Sequence, residues 1–271
     1  MKRQYKRVMT IAGSDPSGGA GIQADIKTIS ANRCYATSAI TAVVNENTIG
    51  VYGVHALPAE FVVGQIESIL NDIGTDAVKI GMLHSAELIE AVALTLTKFN
   101  APNIVFDPVM VATSGDSLVS GDVVGAMTKK MLPISRIITP NIPEAEMLLS
   151  RKITTVNEMK DSCIALAEMG TSVLLKGGHL TDNQLLTDIL CDAETHTMLE
   201  FPSPRIDTVN THGTGCTLSS AIASQLAHGK SLTAAVATAK DYMNNAIAIG
   251  AEYSIGHGHG PVCHFFNLWK S

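Results

Sequence analysis

The 271-residue sequence predicts an α/β fold in which helices cover both faces of a mostly parallel central sheet. At least seven short apolar runs have the length of buried strands, and they alternate with segments of helical periodicity. Hydrophobic residues make up 46% of the chain and aromatic residues 4%, so aliphatic side chains form most of the expected core. No linker, repeat or low-complexity tract separates these runs, which predicts a single domain over residues 1–271.

Charge and cysteine content argue against several classes of protein. The net charge is −6, and basic residues cluster only at residues 2–7, which argues against nucleic-acid binding. The five cysteines include no C-x-x-C pair, which favours a reducing compartment over a disulfide framework or a zinc site. No apolar run approaches the roughly 18 residues of a membrane span, and no signal-peptide pattern precedes the first strand. We therefore expect a cytoplasmic protein that binds neither nucleic acid nor membrane.

The first element is a buried strand at residues 8–12, which ends in a loop of turn-forming residues at positions 13–21. A helix is predicted over residues 22–31, because its isoleucines are spaced by four and three positions. Residues 19–24 match the pattern G-x-G-x-x-G/A. A dinucleotide-binding turn is nevertheless not expected, because several residues separate the strand from the first of these glycines.

The remaining elements continue the alternation of strand and helix. Ser85 is predicted to cap a helix, and residues 192–194 (Asp-Ala-Glu) are predicted to turn a β-hairpin. Strands are predicted at residues 36–44, 51–55, 77–83 (with its turn), 103–106, 136–139, 173–179 (with its turn), 187–190 and 195–201, and helices at residues 58–71, 85–99, 156–169, 218–227 and 232–249.

The most informative segment is residues 210–217, where Asn-Thr-His-Gly-Thr-Gly-Cys-Thr precedes an apolar helix. The free N–H groups and the positive dipole at a helix start favour a bound anion. Gly213 and Gly215 allow the backbone to approach a phosphate closely. Cys216 lies in the first turn, where we expect the pKa of its thiol to fall from about 8.5 toward neutrality. An ordinary helix start with a small buried cysteine has the same local pattern.

Polar residues also follow three of the predicted strands. Asp107 ends one strand, where open α/β sheets place ligand contacts, so it is a candidate for holding Mg²⁺ or capping a loop. Asn141 and Glu144 have the Asn-x-x-Glu spacing, which suits either a magnesium site or a helix N-cap. Lys176 precedes two glycines at another strand end, where it can neutralise phosphate charge or extend into solvent.

Together these motifs resemble those of the hydroxymethylpyrimidine and phosphomethylpyrimidine kinases, a branch of the ribokinase-like superfamily. The resemblance runs nearly from end to end, and Cys at position 216 is typical of this branch, whereas most of the superfamily carries Asp there. It implies a ribokinase-like three-layer sandwich. It also implies a kinase that transfers phosphate from ATP to 4-amino-5-hydroxymethyl-2-methylpyrimidine and then to the monophosphate, in thiamine biosynthesis. The matching segments are residues 11–25, 141–144, 176–179 and 211–217.

The resemblance also implies a role for each candidate residue, with ATP and Mg²⁺ as cofactors and a homodimer as the assembly. Glu46 would contact the pyrimidine edge, and it departs from the family, which commonly carries Gln there. The substrate residues are Gly13, Asp25, Glu46, Met82 and Val109. The ATP residues are Asn141, Lys176, Thr211 and Gly213. The metal residues are Asp107 and Glu144, and the residues of phosphoryl transfer are Lys176, Gly213, Gly215 and Cys216.

Two alternatives remain open at this point. A pyridoxal or pyridoxine kinase would have the same fold, because pyridoxine offers a similar ring and hydroxymethyl group. A non-catalytic protein that senses a pyrimidine would also bind the ring. That second alternative does not explain Lys176, Glu144 and Asp107, since a sensor needs no residues for phosphoryl transfer.

Overall fold

The computed structural model, which describes residues 3–110, 121–178, 180 and 185–269, contains a nine-stranded sheet. Its strands in chain order are β1 (Arg7–Ser14), β2 (Tyr35–Glu46), β3 (Val51–Ala56), β4 (Ala77–Ile80), β5 (Ile104–Phe106), β6 (Ile137–Ile138), β7 (Ser172–Leu175), β8 (Leu185–Asp192) and β9 (Thr197–Pro204). The spatial order is β3-β2-β1-β4-β5-β6-β7-β8-β9. The six strands from β2 to β7 in that order are parallel, and β3, β8 and β9 extend the sheet as antiparallel strands.

Helices pack on both faces of this sheet, as the sequence predicts. The helices in chain order are α1 (Gly21–Ala31), α2 (Ala59–Asp72), α3 (Ala86–Lys98), α4 (Gly121–Ala126), α5 (Ile142–Leu149), α6 (Val156–Ala167), α7 (Thr214–Ala227) and α8 (Leu232–Gly250). One apolar core joins the sheet to α1, α7 and α8, and the other joins it to the layer from α2 to α6. The predicted three-layer sandwich is therefore confirmed, whereas the assignment of residues 1–271 to one domain stays a prediction.

Strand side chains alternate between the two cores. In β4, Ala77 belongs to the core under α7 and α8, while Val78 and Ile80 belong to the opposite core. The same alternation holds in β5, where Val105 lies between two residues that face the other way. Each strand therefore presents every second side chain to the α1–α7 layer, including the polar ones.

Local capping explains several helix starts. The side chain of Ser85 accepts a hydrogen bond from the Leu88 amide at 3.2 Å, which confirms the predicted cap of α3. α5 begins with a capping box, in which Asn141 accepts from the Glu144 amide and the Glu144 carboxylate accepts from the Asn141 amide. Asn141 and Glu144 are therefore fixed in space by the chemistry of a helix start.

Three regions differ from the sequence prediction or lie beyond its test. β2 continues past residue 44 to Glu46, because its end pairs with β3, so Glu46 is a strand residue instead of a loop acid. α4 and the π-helical and 3₁₀ turns that follow it were not predicted, since two glycines and Pro133 interrupt the pattern. Residues 114–116, which the sequence predicts to form a loop after the strand that ends at Asp107, and His179 lie outside the described residues.

Chain order reverses beside β1, because β2 lies on one side of it and β4 on the other. In open parallel sheets such a reversal opens a crevice at the carboxyl ends of the strands, where ligands bind. The loop after β1, the turn after β4 and the start of α7 all lie at this edge. Among the described residues, no helix is both long and apolar enough to cross a bilayer.

Candidate active site

The start of α7 packs directly against the loop between β1 and α1. Gly213 is the N-cap residue and has a φ of +76°, a left-handed conformation that glycine adopts without strain. A Cβ at Gly213 would overlap the carbonyl oxygen of Gly19. The glycine therefore allows the predicted anion-binding turn to contact the predicted substrate loop.

An ion pair joins the same two segments. His212 Nε2 lies 2.9 Å from Asp15 Oδ2, and the Asp15 carboxylate also accepts from the amides of Ser17 at 2.7 Å and Ala20 at 2.6 Å. Burial alone would raise the pKa of Asp15, but the hydrogen bonds from His212, Ser17 and Ala20 hold it well below its usual range. The pKa of His212 is raised, chiefly by its hydrogen bond to Asp15. Neither residue was assigned a role from the sequence, because 196 positions lie between them in the chain.

Glu46 lies beside this pair. One ligand atom from each of Asp15, Glu46 and His212 lies within 4.8 Å of the others, so the three could hold a cation. We assign no metal to this group, because the Asp15 oxygens already accept from three donors. Burial and the charge of Asp15 raise the pKa of Glu46 to about 7, against the opposing effect of His212.

The predicted substrate residues Gly13 and Met82 meet at the carboxyl edge of β1 and β4. A Cβ at Gly13 would lie 2.7 Å from the terminal methyl of Met82 and 3.9 Å from a methyl of Val44. The absence of a side chain at position 13 therefore leaves room for Met82 to lie over the strand end. Val109 is half-buried in the segment after β5, and Thr211 is exposed just before α7.

Asp107 and Lys176 form the polar centre of the site. Lys176 Nζ donates to Asp107 Oδ1 at 3.0 Å, and the hydroxyl of Thr139 donates to the same oxygen at 2.9 Å. A Cβ at Gly215 would lie 3.2 Å from Asp107 Oδ2 and 3.5 Å from Lys176 Nζ. Three predicted residues from distant parts of the chain therefore meet at the first turn of α7.

Glu144 is buried near this centre. Burial and the charge of the Asp107 carboxylate raise the pKa of Glu144 to about 7, against the opposing effects of Lys176 and the Asn141 amide. The buried carboxylates of Asp107 and Glu144 therefore both lie near the ammonium group of Lys176. Such a set of hard oxygen atoms fits a divalent cation, because the added positive charge would stabilise both ionised forms.

The expected pKa shift of Cys216 is wrong in direction. Burial raises the pKa of its thiol to about 11, and Asp25 and Asp107 also raise it, while Lys79 lowers it. For this half-buried cysteine, the loss of solvation destabilises the thiolate by more than the helix start stabilises it. The thiol is therefore protonated near neutral pH, and the role of Cys216 in phosphoryl transfer stays a prediction.

The expected contact of Asp25 with the substrate stays a prediction. Its side chain is 0% exposed and lies beneath the site, where it accepts a hydrogen bond from Lys79 Nζ at 2.9 Å. Lys79 is not among the site residues that the sequence predicts. A signal was nevertheless present, since a lysine within the apolar run Ala-Val-Lys-Ile requires a buried partner.

Comparison with known proteins finds that this chain is similar in sequence to enzymes. The family model described as phosphomethylpyrimidine kinase matches residues 15–263. The chain is 45% identical over 263 residues to the hydroxymethylpyrimidine/phosphomethylpyrimidine kinase of Escherichia coli (strain K12). That match covers 96% of this chain and 98% of the other protein. It is 47% identical over 272 residues to the chloroplastic thiamine biosynthetic bifunctional enzyme TH1 of Arabidopsis thaliana, which covers 99% of this chain and 52% of that protein. This chain therefore spans about half the length of that bifunctional relative.

A solved structure with a similar fold is the ADP complex of Bacillus subtilis pyridoxal kinase. It matches with a TM-score of 0.90 and 33% sequence identity, and the match covers 98% of this chain and 100% of that chain. The similarity confirms the arrangement of sheet and helices.

Replacing Gly213 with Ala is expected to destabilise the fold by more than the left-handed conformation alone, which costs an L-residue about 1–2 kcal/mol. The added Cβ would also overlap the Gly19 carbonyl oxygen. Gly229 is a matched control, because its φ is +83° and no atom lies within 4 Å of a Cβ built there. Urea unfolding should show a larger loss of free energy of unfolding for Gly213→Ala than for Gly229→Ala. Equal losses would contradict the close packing between α7 and the loop.

His212→Gln is expected to lower the Tm more at pH 5 than at pH 9. Because the pKa of His212 is raised by folding, the charged pair stabilises the fold fully below about pH 6.5, and this contribution is lost as the pH rises through the folded pKa. The lowered pKa of Asp15 preserves the contribution above about pH 3.9, and it is lost as the pH falls through the folded pKa. A hydrogen bond between charged groups contributes about 1.5–3 kcal/mol.

The measurement is the thermal unfolding of both proteins across this pH range. His257→Gln is the control, because His257 is exposed in the C-terminal segment. A Tm difference for His212→Gln that is the same at pH 5 and pH 9 would show that the charged pair does not join the two segments.

Proposed function

This chain belongs to the phosphomethylpyrimidine kinase family, and from that premise we propose its reaction. It transfers the γ-phosphoryl group of ATP to 4-amino-5-hydroxymethyl-2-methylpyrimidine and then to the resulting monophosphate, in thiamine biosynthesis. The observation that carries the proposal is the contact of Gly215, in the first turn of α7, with Asp107 and Lys176. A helix start, a lysine and a buried carboxylate together suit a transferring phosphoryl group.

Electrostatic stabilisation accounts for most of the proposed catalysis. The Thr214 amide donates to the Thr211 carbonyl. The amides of Gly215 and Cys216 lack intrahelical acceptors, so these two can donate to the negative charge that develops on the phosphoryl group. Lys176 lies within reach of the same turn and neutralises part of that charge. Asn141 and Thr211 are the remaining residues that we assign to the ATP side of the site. We assign a positioning role to the Asp15–His212 pair, which holds the loop after β1 against the start of α7.

Mg²⁺ is the metal that the proposed site would hold. Glu144 and Asp107 supply oxygen atoms, and the raised pKa of the Glu144 carboxyl indicates a carboxylate that is short of positive charge. When bound, a magnesium ion neutralises charge on the phosphates of ATP. The residues of this chain hold the ion and keep Lys176 directed at the start of α7.

Cys216 is the proposed acceptor of the proton from the hydroxymethyl group. The acceptor of the second step is a phosphomonoester, which is already ionised near neutral pH and has no such proton to lose. A thiol with a raised pKa becomes a competent base only where a nearby cation stabilises the thiolate.

Pyridoxal kinase activity is the second candidate function. The similarity to Bacillus subtilis pyridoxal kinase favours it, since the two chains match over nearly their full lengths. The higher identity to the pyrimidine kinase of Escherichia coli supports the first proposal over this one.

A homodimer in the cytoplasm completes the proposal. β3 is an edge strand, and Val51, Tyr52 and Val54 within it are each more than half exposed. Phe61 in α2 is also more than half exposed. Such an apolar edge favours pairing with a second copy of this chain. The five free cysteines suit a reducing compartment.

The direct test measures ATP consumption with hydroxymethylpyrimidine, its monophosphate and pyridoxine, each offered separately. Turnover of both pyrimidines at a kcat/KM well above that of pyridoxine is the expected result. Turnover of pyridoxine alone would assign the protein to vitamin B6 metabolism. Pyrimidine binding without any ATP turnover would indicate a sensor and would exclude the proposed enzyme.

Cys216→Ala should reduce the first phosphorylation much more than the second. Loss of a general base lowers kcat by about 10²- to 10⁴-fold, whereas the second acceptor needs no base. Single-turnover rates with each pyrimidine measure the two steps separately. Cys34→Ala is the control, because Cys34 is buried near His228, close to the opposite end of α7. Equal losses in the two steps would assign Cys216 to positioning the phosphate.

A further inference from the structure

Lys79 is a fully buried lysine with no part in the function proposed so far. Its side chain is 0% exposed, and it lies in β4 between Val78 and Ile80, which face the opposite core. Lysine is almost never fully buried unless it is paired, because removing an ammonium from water is costly. The burial of Lys79 under the site therefore calls for a specific role.

Asp25 holds this ammonium group in place. Lys79 Nζ lies 2.9 Å from each Asp25 oxygen, and the hydroxyls of Thr10 at 2.5 Å and Ser220 at 2.7 Å also donate to that carboxylate. Thr10 and Lys79 are paired in register on β1 and β4, so both point toward α1 and α7. Asp25 thus accepts hydrogen bonds from three side chains. Within the described residues, the side chain of Lys79 donates to Asp25.

The ammonium group lies beneath the first turns of α7. A Cβ at Gly81 would lie 2.9 Å from Lys79 Nζ, so the lysine reaches past the carboxyl end of its own strand. Ser220, which contacts Asp25, is one helical turn beyond Cys216, so the two residues share a face of α7. Cys216 is therefore the next side chain of α7 toward the predicted anion site.

We propose that Lys79 is a positioning residue that supplies the buried positive charge under the start of α7. Held by Asp25, it stabilises negative charge on Cys216 and on any anion that the first turn of α7 binds. For the reaction, this inference rests on the proposed function, in which the Cys216 thiolate is the base, because Lys79 lowers the free energy needed to form that thiolate. The effect on the thiol itself requires no substrate.

Three charged groups act on Cys216, each from a different element. Lys79 in β4 favours the thiolate, whereas Asp25 in α1 and Asp107 after β5 oppose it. Burial is the largest influence, and it holds the pKa of the thiol at about 11 even with the lysine present. Conversely, the thiolate is among the groups that keep the pKa of Lys79 raised, after Asp25.

The test measures the alkylation rate of Cys216 by iodoacetamide between pH 7.5 and 10, with mass spectrometry of the Cys216 peptide. Lys79→Met should slow alkylation about tenfold or more at a given pH, because the thiolate loses its nearby cation. Asp25→Asn should accelerate it, because it removes a negative charge. In the double variant, which leaves neither partner of the pair charged, the alkylation rate should lie between those of the two single variants. This variant should remain folded because it leaves neither residue of the pair as an unpaired buried charge.

These opposite signs separate a charge effect from structural damage. Loosening of the fold would expose Cys216 and accelerate alkylation in both single variants, which would overturn the proposal, as would unchanged rates. If Lys79→Met does not fold, the alkylation rates of Asp25→Asn and the double variant still differ by the charge of Lys79. An alkylation rate in the double variant as high as in Asp25→Asn would overturn the proposal. The Arg7–Asp76 pair, at the opposite end of β1 from the site, is the control, and Arg7→Met with Asp76→Asn should leave Cys216 alkylation unchanged.

Kinetic data then connect the charge to the reaction. Lys79→Met should lower kcat of the first phosphorylation more than that of the second, in parallel with the alkylation rate. The expected alkylation rates in a protein that turns over none of the three acceptors would sustain the charge assignment and refute the proposed function. Unchanged alkylation rates in the variants of an enzyme that phosphorylates the pyrimidines would refute the charge assignment and sustain the proposed function.

Discussion

The approach of α7 to the carboxyl edge of the sheet is the constraint on which the site depends. It requires glycine at two positions, since a Cβ at Gly213 would overlap the Gly19 carbonyl and one at Gly215 would press on Asp107. Because both contacts occur at the same helix start, the loop after β1 and the Asp107–Lys176 pair lie on either side of it. A phosphoryl group bound at this turn would therefore lie between the residues proposed to bind substrate and those proposed to bind metal.

Buried charge is distributed unevenly around this helix start. Asp25, Asp107 and Asp15 each have a cationic partner within about hydrogen-bond distance, namely Lys79, Lys176 and His212. Glu46 and Glu144 do not, and burial raises the pKa of each to about 7. A carboxyl whose pKa is raised by folding makes the fold less stable as the pH rises toward that value. Glu46 and Glu144 are therefore the two carboxyls that a ligand can relieve, one at each side of the site.

Local sequence chemistry accounts for the elements and for part of the site. The caps at Ser85 and Asn141 and the hairpin of β8 and β9 depend on neighbouring residues, so a single sequence contains their signals. The pairing of Lys79 with Asp25 joins residues 54 positions apart, and only the finished sheet brings them together. The predicted fall in the pKa of Cys216 is wrong because that pKa also depends on packing between distant parts of the chain. Burial of the thiol raises its pKa by more than the helix dipole lowers it.

The departure at position 46 does not by itself favour a pyridine substrate over a pyrimidine. With a pKa of about 7, the Glu46 carboxyl retains its proton in a large fraction of molecules near neutral pH. A protonated carboxyl presents one donor and one acceptor side by side, as the amide of Gln does. The ring nitrogen and exocyclic amine of a 4-aminopyrimidine match that pair in either case. Burial and the neighbouring Asp15, which both oppose ionisation of Glu46, thus give this glutamate the hydrogen-bonding character of the glutamine that the family commonly carries.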